Sequence, residues 1–258
     1  GLTPEQLQGD QVASLAVPEC GTKFVRGMLE DSRPQTFSDL VRISGFSHGT
    51  NVWLDNAQEL IKNGTCKLNE AISTRDDVMN FLIHRGMNKK NSFFVMENVR
   101  KGKGIEKRNK QGQATTEFEK EMRENNIPEW FIESCKKISY LFPRAHAVAY
   151  VMMAFRIAWF KVSHPLAFYA AYFSIRAKAF DLRIMTGDLN TQLREFNRIK
   201  ALDRAASPKD KDLMSALEVS MEMYQRGYRF INVDIQHSEA RRFSIKDGAL
   251  LPPFLAID

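Results

Sequence analysis

The chain has 258 residues, of which 43% are hydrophobic and 26% are charged. This balance excludes an intrinsically disordered polypeptide and permits one large domain or two small ones. The 37 Lys and Arg residues outnumber the 31 Asp and Glu residues, which gives a formal net charge of +6. The excess favours a polyanionic partner, but a merely basic soluble protein explains the charge equally well.

The cysteines at positions 20, 66 and 135 lie far apart in the sequence, and no pair has the spacing of a zinc site. An odd, scattered set predicts free thiols in a reducing compartment, which indicates a cytoplasmic protein. The longest apolar run, 145–160, contains Arg156 and is followed by Lys161. We interpret it as too short and too charged to span a bilayer, so no membrane partner is expected. The absence of an initial Met and the abrupt end suggest a segment of a longer polypeptide.

Helical patterns cover most of the chain. Thr36 and Thr74 are predicted N-caps, and Asp76 and Asp77 suit the first turn of the helix that follows Thr74. The predicted helical segments are 22–29, 36–43, 53–62, 73–85, 117–125, 129–137, 145–162, 166–176, 191–204 and 213–226. Residues 242–245 and 249–251 flank Asp247-Gly248, a strong hairpin turn signal. The predicted fold is therefore mainly α, with a small C-terminal β-hairpin.

The stretch Phe142-Pro-Arg-Ala-His-Ala-Val-Ala-Tyr150 places two cationic or hydrogen-bonding side chains, Arg144 and His146, at the start of the long apolar helix. A helix N-terminus offers unpaired N–H groups and the positive end of the helix dipole, so it attracts anions. Guanidinium and imidazole donors suit phosphate oxygens. The sequence therefore predicts a helix start that faces phosphate.

Two further features admit a functional and a structural interpretation. The stretch 43–50 is rich in glycine and hydroxyl groups, so it forms either a loop that approaches phosphate closely or a plain turn between helices. His84 stands near a helix end, where a structural imidazole is common, but an exposed ring there can also stack on a base.

The densest basic run lies between positions 100 and 110, and its interleaved glycines let it follow a phosphate backbone. No acidic residue follows Arg100 until Glu106, which favours DNA contact over a merely solvated run. The predicted DNA-binding residues are Arg100, Lys101, Lys103, Lys107, Arg108 and Lys110.

Paired carboxylates occur at Asp76-Asp77 and at Asp210 and Asp212. Two-metal phosphoryl transfer needs such pairs, but both lie at helix starts, where Asp is expected to cap. We therefore predict no catalytic residue and no metal ligand in this chain.

The helix motif at 142–150, followed by Phe160-Lys-Val-Ser-His-Pro165, resembles the signature of the C-family bacterial replicative polymerases. Further segments are similar to the PolC-type DNA polymerase III α subunits in the same order. They include Gly21-Thr-Lys-Phe-Val-Arg26, Val41-Arg-Ile-Ser-Gly-Phe-Ser-His-Gly-Thr50, Met96-Glu-Asn-Val-Arg-Lys-Gly-Lys-Gly104, Pro128-Glu-Trp130 and Leu251-Pro-Pro-Phe254.

The resemblance implies that residues 1–258 are a polymerase fingers domain. About 1–176 would form the nucleotide-facing helices and basic loop, and about 177–258 a helical subregion that ends in the hairpin. The catalytic palm and the helix-hairpin-helix module would be absent, so the fragment alone is expected to be inactive. Mg²⁺ would be held by the missing palm, and this fragment would bind no cofactor.

The resemblance also implies nucleotide contacts. Arg33 and Thr36 match the pair on the triphosphate side, and position 84 matches an aromatic residue, usually Tyr, that stacks on the base. Arg144 stands where a Lys is usual. The complete expected set for the incoming dNTP is Arg33, Thr36, Ser44, His48, His84, Arg144 and His146.

The implied partners are template–primer DNA, the incoming dNTP and the other polymerase domains, with the sliding clamp and clamp loader reached through the full-length protein at the nucleoid. A free-standing helical nucleic-acid-binding protein and a replisome scaffold remain alternatives from the residues themselves.

Overall fold

The structure is a computed structural model that describes residues 2–7, 9–108 and 111–257, without the side chain of Arg108. The chain divides into two compact units. The central unit comprises Lys23–Met153, and the terminal unit comprises Gly1–Thr22 together with Ala154–Asp258. This division follows packing. The boundary predicted after residue 176 separates nucleotide-facing helices from a helical subregion, which is a division by function, and it stays a prediction.

The central unit is built from helices and one short hairpin. Its helices are α1 (Lys23–Ser32), α2 (Phe37–His48), α3 (Gln58–Lys62), α4 (Arg75–His84), α5 (Lys89–Arg100), α6 (Glu117–Glu124), α7 (Glu129–Lys137) and the first half of α8 (Arg144–Ser163). Strands β1 (Lys107–Arg108) and β2 (Ala114–Thr115) pair antiparallel. The irregular turn Trp53–Ala57 precedes α3.

The terminal unit contains the second half of α8 and the remaining elements. These are α9 (Pro165–Ile175), α10 (Leu182–Met185), α11 (Leu189–Leu202), α12 (Pro208–Gln225), strands β3 (Ser244–Lys246) and β4 (Ala249–Leu251), and two short 3₁₀ helices (Asp203–Ala205 and Phe254–Ile257). The strands pair antiparallel around Asp247 and Gly248, both of which have positive φ, as a tight hairpin turn requires. The predicted mainly α fold with a C-terminal hairpin is confirmed.

Capping chemistry fixes several helix starts: Thr36 caps α2 as predicted, whereas α12 begins at Pro208 and not at the predicted residue 213. Thr36 and Asp39 form a reciprocal capping box at α2, because the Thr36 hydroxyl accepts from the Asp39 N–H and the Asp39 carboxylate accepts from the Thr36 N–H. Ser207 and Asp210 do the same at α12. Asp210 therefore caps a helix, in line with its structural interpretation.

Helix α5 is absent from the sequence predictions. Its N-terminus is set by the Asn88 side chain, which accepts from the N–H groups of Lys90 and Asn91. Its buried face includes Val95 and Val99. The short strands β1 and β2 were not predicted from the sequence either.

The stretch 43–50, interpreted as a loop or turn, is helical as far as His48, and that prediction is wrong. Gly45 allows α2 to pass very close to the segment before α4. A Cβ atom at Gly45 would lie only 2.5 Å from the carbonyl oxygen of Ser73. The glycine thus serves close packing of backbone on backbone.

Each unit has its own apolar core. In the central unit, Val41 of α2 packs with Ala147 and Val151 of α8, which fixes α2 beside the start of that helix. The terminal core surrounds the fully buried Tyr169. Beside it, Lys161 is buried and donates to Glu222 (2.8 Å) and to the carbonyl oxygens of Ala13 (2.8 Å) and Leu15 (2.7 Å).

Helix α8 is the one described helix that is long and apolar enough to cross a membrane by length and composition. Its most apolar window has a mean hydropathy of 1.2 and is 22% buried. The sequence argument from length was wrong, because 20 helical residues span about 30 Å. A single such helix is weak support for a membrane segment, since apolar helices of soluble proteins pass the same test. The expectation of no membrane partner stays a prediction.

Candidate nucleotide and nucleic-acid site

The start of α8 lies against the start of α4. The Arg75 N–H donates to the carbonyl oxygen of Phe142 (3.0 Å), which joins the two chain segments. The Arg144 N–H donates to Asp76 Oδ2 (2.7 Å), and Arg144 Nη2 donates to Asp77 Oδ1. One of the N–H groups predicted to attract an external anion is therefore bonded to a carboxylate of the chain itself.

Asp77 is the buried centre of this arrangement. Its Oδ2 accepts from the N–H and hydroxyl groups of Ser73 (3.0 and 2.7 Å) and Thr74 (2.8 and 3.0 Å). Its Oδ1 faces Arg144 and also Arg42 at 3.6 Å. Burial alone would raise the pKa of Asp77, but the Arg42 charge, the Ser73 hydrogen bond and the Arg144 charge outweigh it and lower that pKa. Asp77 is therefore an ionised carboxylate at neutral pH.

Two predicted nucleotide residues, His48 and His146, come together in a group of aromatic rings that we call the imidazole cluster (Tyr140, Phe142, His48, His146 and Tyr150). His146 lies with its ring centroid 4.9 Å from Phe142, 4.3 Å from Tyr150 and 6.0 Å from His48. Phe142 also contacts His48 at 5.3 Å. The cluster forms because the end of α2 and the first turns of α8 are packed together by Val41.

The other predicted nucleotide residues have different settings. Ser44 is buried, and its hydroxyl has no hydrogen-bond partner among the described residues, so it faces the interior. Thr36 caps α2. Arg33 is exposed directly after α1 and has a positive φ of 45°. No contact among the described residues links Arg33 to the start of α8, so their predicted convergence stays a prediction.

His84 is the exposed last residue of α4. Since α4 begins beside Arg144 and rises about 1.5 Å per residue, His84 lies about 14 Å along the axis from that start. It is therefore at the opposite end of α4 from the Arg144 contacts. Its exposure is compatible with a stacking role, which no contact in the structure tests.

The basic residues between positions 100 and 110 form more ion pairs within the protein than the sequence suggested. Glu97, one turn upstream, binds both Arg100 and Lys101, the latter at 2.9 Å. The hydrogen bond from Arg100 is the main cause that lowers the pKa of Glu97 to about 2. The premise that this run lacks an acidic partner was wrong, because it considered only residues that follow Arg100.

The rest of the run is less uniform. Lys107 pairs with Glu117, and its ammonium lies 5.6 Å from the Phe118 ring centroid. Lys103 is exposed and has no ion-pair partner among the described residues. The Arg108 side chain and Lys110 lie outside the part of the chain that is described. A depression of about 680 Å³ opens here, lined by Phe94, Asn98, Gly102, Lys103, Glu106, Lys107 and Phe118.

Within the described residues, no group of three or more His, Cys, Asp or Glu side chains could hold a metal ion. Asp76 and Asp77 contact Arg144, and Asp210 caps α12 and lies 3.4 Å from Arg198. These carboxylates therefore do not fit a two-metal site.

Sequence reasoning missed the role of three residues at this site: Arg42, Asp76 and Asp77. The two aspartates were assigned only to the capping and first turn of α4. Their contacts with Arg144 span 68 and 67 residues of sequence, so no local sequence pattern predicts these contacts.

The helical architecture agrees with a comparison against known families. Residues 7–126 match the family described as the bacterial DNA polymerase III alpha subunit finger domain. The match covers helices α1 to α6 and defines the class of domain that they form, whereas α8 lies outside the matched residues.

Individual relatives narrow the class. The chain is 52% identical over all of its residues to a PolC-type DNA polymerase III of Caldanaerobacter subterraneus, and 51% identical over its full length to the one of Bacillus subtilis. The one of Thermotoga maritima is 52% identical over 98% of the chain. The chain belongs to the PolC-type DNA polymerase III family, as its sequence motifs predicted. It spans only 17–18% of the length of these relatives.

Proposed function

We propose that the chain acts as the fingers part of a replicative DNA polymerase, where it binds the triphosphate and base of an incoming dNTP and contacts template–primer DNA. The observation that supports this most is the start of α8, which carries Arg144 and His146, with the His146 ring centroid 6.0 Å from that of His48. Membership of the polymerase family supplies the substrate class. The free-standing nucleic-acid-binding protein and the replisome scaffold have no specific observation in their favour.

The chemistry of the site suits a polyphosphate. A guanidinium has five N–H donors, and Asp77 engages one nitrogen of Arg144, so further donors remain for phosphate oxygens. The Arg144 side chain is 43% exposed, which leaves it accessible. Phosphoryl transfer asks a protein mainly to position the reactants and to stabilise charge. Arg144 and His146 would supply that positioning, with Arg33 and Thr36 as further proposed contacts.

The metal ions of the parent reaction would be held elsewhere. Because Asp76 and Asp77 bind Arg144 and Asp210 caps α12, we assign the Mg²⁺ ligands to a palm domain outside this chain. The chain alone should not extend a primer. In a full-length cytoplasmic polymerase at the nucleoid, the other polymerase domains, the sliding clamp and the clamp loader would be its proposed partners.

Calorimetric titration of the chain with a dNTP tests the triphosphate site. Arg144→Gln should weaken binding by about tenfold or more, because hydrogen bonds to charged groups contribute about 1.5–3 kcal/mol. Arg156→Gln is the matched control, since Arg156 is an exposed arginine on the same helix. Equal affinities of wild type and Arg144→Gln would refute the assignment.

The base contact has its own test. His84→Ala should weaken dNTP binding by about 1–3 kcal/mol if the ring stacks on the base, and His84→Tyr should preserve or strengthen it. Titration with tripolyphosphate, which has no base, should not distinguish these variants. If His84→Ala matches wild type with dNTP, the stacking role is wrong.

DNA binding by the basic run should depend strongly on salt. Lys103→Gln should reduce the slope of log affinity against log salt by about 0.7–0.9, the contribution of one phosphate contact. Lys211→Gln, an exposed lysine on α12, carries the same charge change as a control. Affinity that does not respond to salt would contradict the proposal.

A further inference from the structure

The contact between Asp77 and Arg144 joins a buried carboxylate to an accessible guanidinium. The Asp77 side chain is 8% exposed, whereas that of Arg144 is 43% exposed. One end of the guanidinium is therefore fixed inside the protein while the remainder reaches solvent. Four donors from Ser73 and Thr74 hold the other carboxylate oxygen, so Asp77 cannot turn freely.

We propose that Asp77 is a positioning residue that orients Arg144 for phosphate. It selects one arrangement of the guanidinium, with the N–H groups that it does not bind directed away from the buried carboxylate. This inference rests on the proposed function of Arg144 as a triphosphate ligand. A long arginine side chain has many rotamers, and fixing it in advance removes part of the entropy loss on binding.

The charges of the group allow this role. Asp77 lies between Arg42 and Arg144, so the three side chains together carry one net positive charge. Arg42 is anchored by a hydrogen bond from its Nη1 to the carbonyl oxygen of Ala71 (2.8 Å). The Asp76 carboxylate at the Arg144 N–H balances that charge, so the exposed part of the Arg144 guanidinium, and not a net charge of the group, is what an anion would meet.

Asp76 complements Asp77 from the same helix start. Its Oδ2 accepts from the backbone N–H of Arg144, while Asp77 binds the side chain. Backbone and side chain of Arg144 are thus fixed by two consecutive residues of α4. This double attachment distinguishes a positioning site from a single surface ion pair.

The opposite possibility is that Asp77 competes with the ligand, because it is itself an anion bound to Arg144. The two roles predict opposite signs for Asp77→Asn. This substitution adds one positive charge, which by itself strengthens anion binding. Competition therefore predicts tighter binding, and positioning predicts weaker binding despite the added charge.

Calorimetric titration of the full chain with tripolyphosphate measures that sign. We expect Asp77→Asn to weaken binding by about threefold to thirtyfold, which lies within the usual coupling between contacting residues. Asp210→Asn is the matched control, because Asp210 also accepts from the N-cap N–H at the third position of a helix. It should leave the affinity unchanged.

A second arm separates this inference from the proposed function. In an Arg144→Gln background, Asp77→Asn should no longer weaken binding, because Asp77 acts through Arg144, and only the strengthening from the added charge should remain. If Arg144→Gln does not weaken binding, the proposed function itself fails. If Arg144→Gln weakens binding but Asp77→Asn equals or exceeds wild type, only the positioning role is overturned.

A measurement on the wild-type chain covers the case in which Asp77→Asn does not fold. The ¹⁵N NMR signals of the Arg144 side chain report rotation of its guanidinium. A guanidinium held by Asp77 should show hindered rotation at neutral pH, in contrast to that of the exposed Arg156. Equally fast rotation of both groups would overturn the proposal.

Discussion

Lys161→Met should destabilise the terminal unit strongly, because it removes one partner of a buried ion pair. The lysine side chain is 6% exposed and that of Glu222 is 2% exposed. Methionine has a similar length and no charge, so it preserves most of the packing while it deletes the ammonium. Glu222 would keep the hydrogen bond from Tyr169 (2.5 Å) and lose its counter-charge.

The size of the loss in stability follows from the groups that Lys161→Met leaves without a partner. Removing one member of a buried ion pair costs about 3–5 kcal/mol, because the remaining charge stays desolvated. The carbonyl oxygens of Ala13 and Leu15 also lose their donor. We therefore expect a loss of about 4 kcal/mol in the free energy of unfolding, against about 5–15 kcal/mol for a typical domain.

Urea denaturation followed by circular dichroism measures this loss, and hydrogen exchange of α12 amides assigns it to the terminal unit. Glu222→Gln and the double variant complete a cycle in which the double variant should cost less than the sum, by about 1–3 kcal/mol. Lys211→Met on the exposed face of α12 should stay within about 0.5 kcal/mol of wild type. A Lys161→Met loss below about 1 kcal/mol, with additive effects, would refute the reasoning.

Gly45→Ala should destabilise the chain by about 1–3 kcal/mol, because its Cβ would lie 2.5 Å from the Ser73 carbonyl oxygen. Gly27→Ala, whose Cβ would meet nothing within 4 Å, should stabilise α1 by about 0.5–1 kcal/mol. Urea unfolding measures whether the two glycine variants change the free energy of unfolding in opposite directions. Burial raises the pKa of Cys66 to about 11, so a thiol reagent at pH 8 should modify it far more slowly in the folded chain than in urea, and equal rates would contradict this. The pKa of Asp77 is lowered on folding, so its contribution is present above its unfolded value of about 3.9 and is lost as the pH falls through the folded value. Asp77→Asn should therefore lose less stability than wild type as the pH falls below about 3.9, and an unchanged pH dependence would argue against it.

The parts of the fold that depend on neighbours in sequence could be predicted. The box formed by Thr36 and Asp39 joins residues three apart, and Asp247-Gly248 encodes its own turn. Helix α5 was not predicted, because its start depends on the Asn88 side chain and because its polar first turn obscures the periodicity of the apolar residues in the sequence. The pairing of Glu97 with Arg100 and Lys101 had a readable signal, since residues three and four apart on a helix are neighbours.

The candidate site could be predicted only in part. The motif that contains Arg144 and His146 identified the helix start, because a helix N-terminus has known electrostatics. The carboxylates that occupy this start come from α4, 67 and 68 residues away in sequence. Such a contact results from tertiary packing and leaves no periodic pattern. For the same reason, the burial of Ser44 could be recognised only once the structure placed this residue within α2.

The ring arrangement around His146 also makes the proton NMR signals of this residue recognisable. Aromatic rings shift the NMR resonances of nearby protons, and three rings surround this imidazole at 4.3–6.0 Å. Its C–H signals should therefore be displaced from ordinary histidine positions, whereas those of His84, which has no ring contact among the described residues, should not be. The sequence contains five histidines, so the imidazole region of the proton spectrum is sparse. A ligand at the start of α8 and a ligand at His84 would thus perturb separate, recognisable signals of the unlabelled chain.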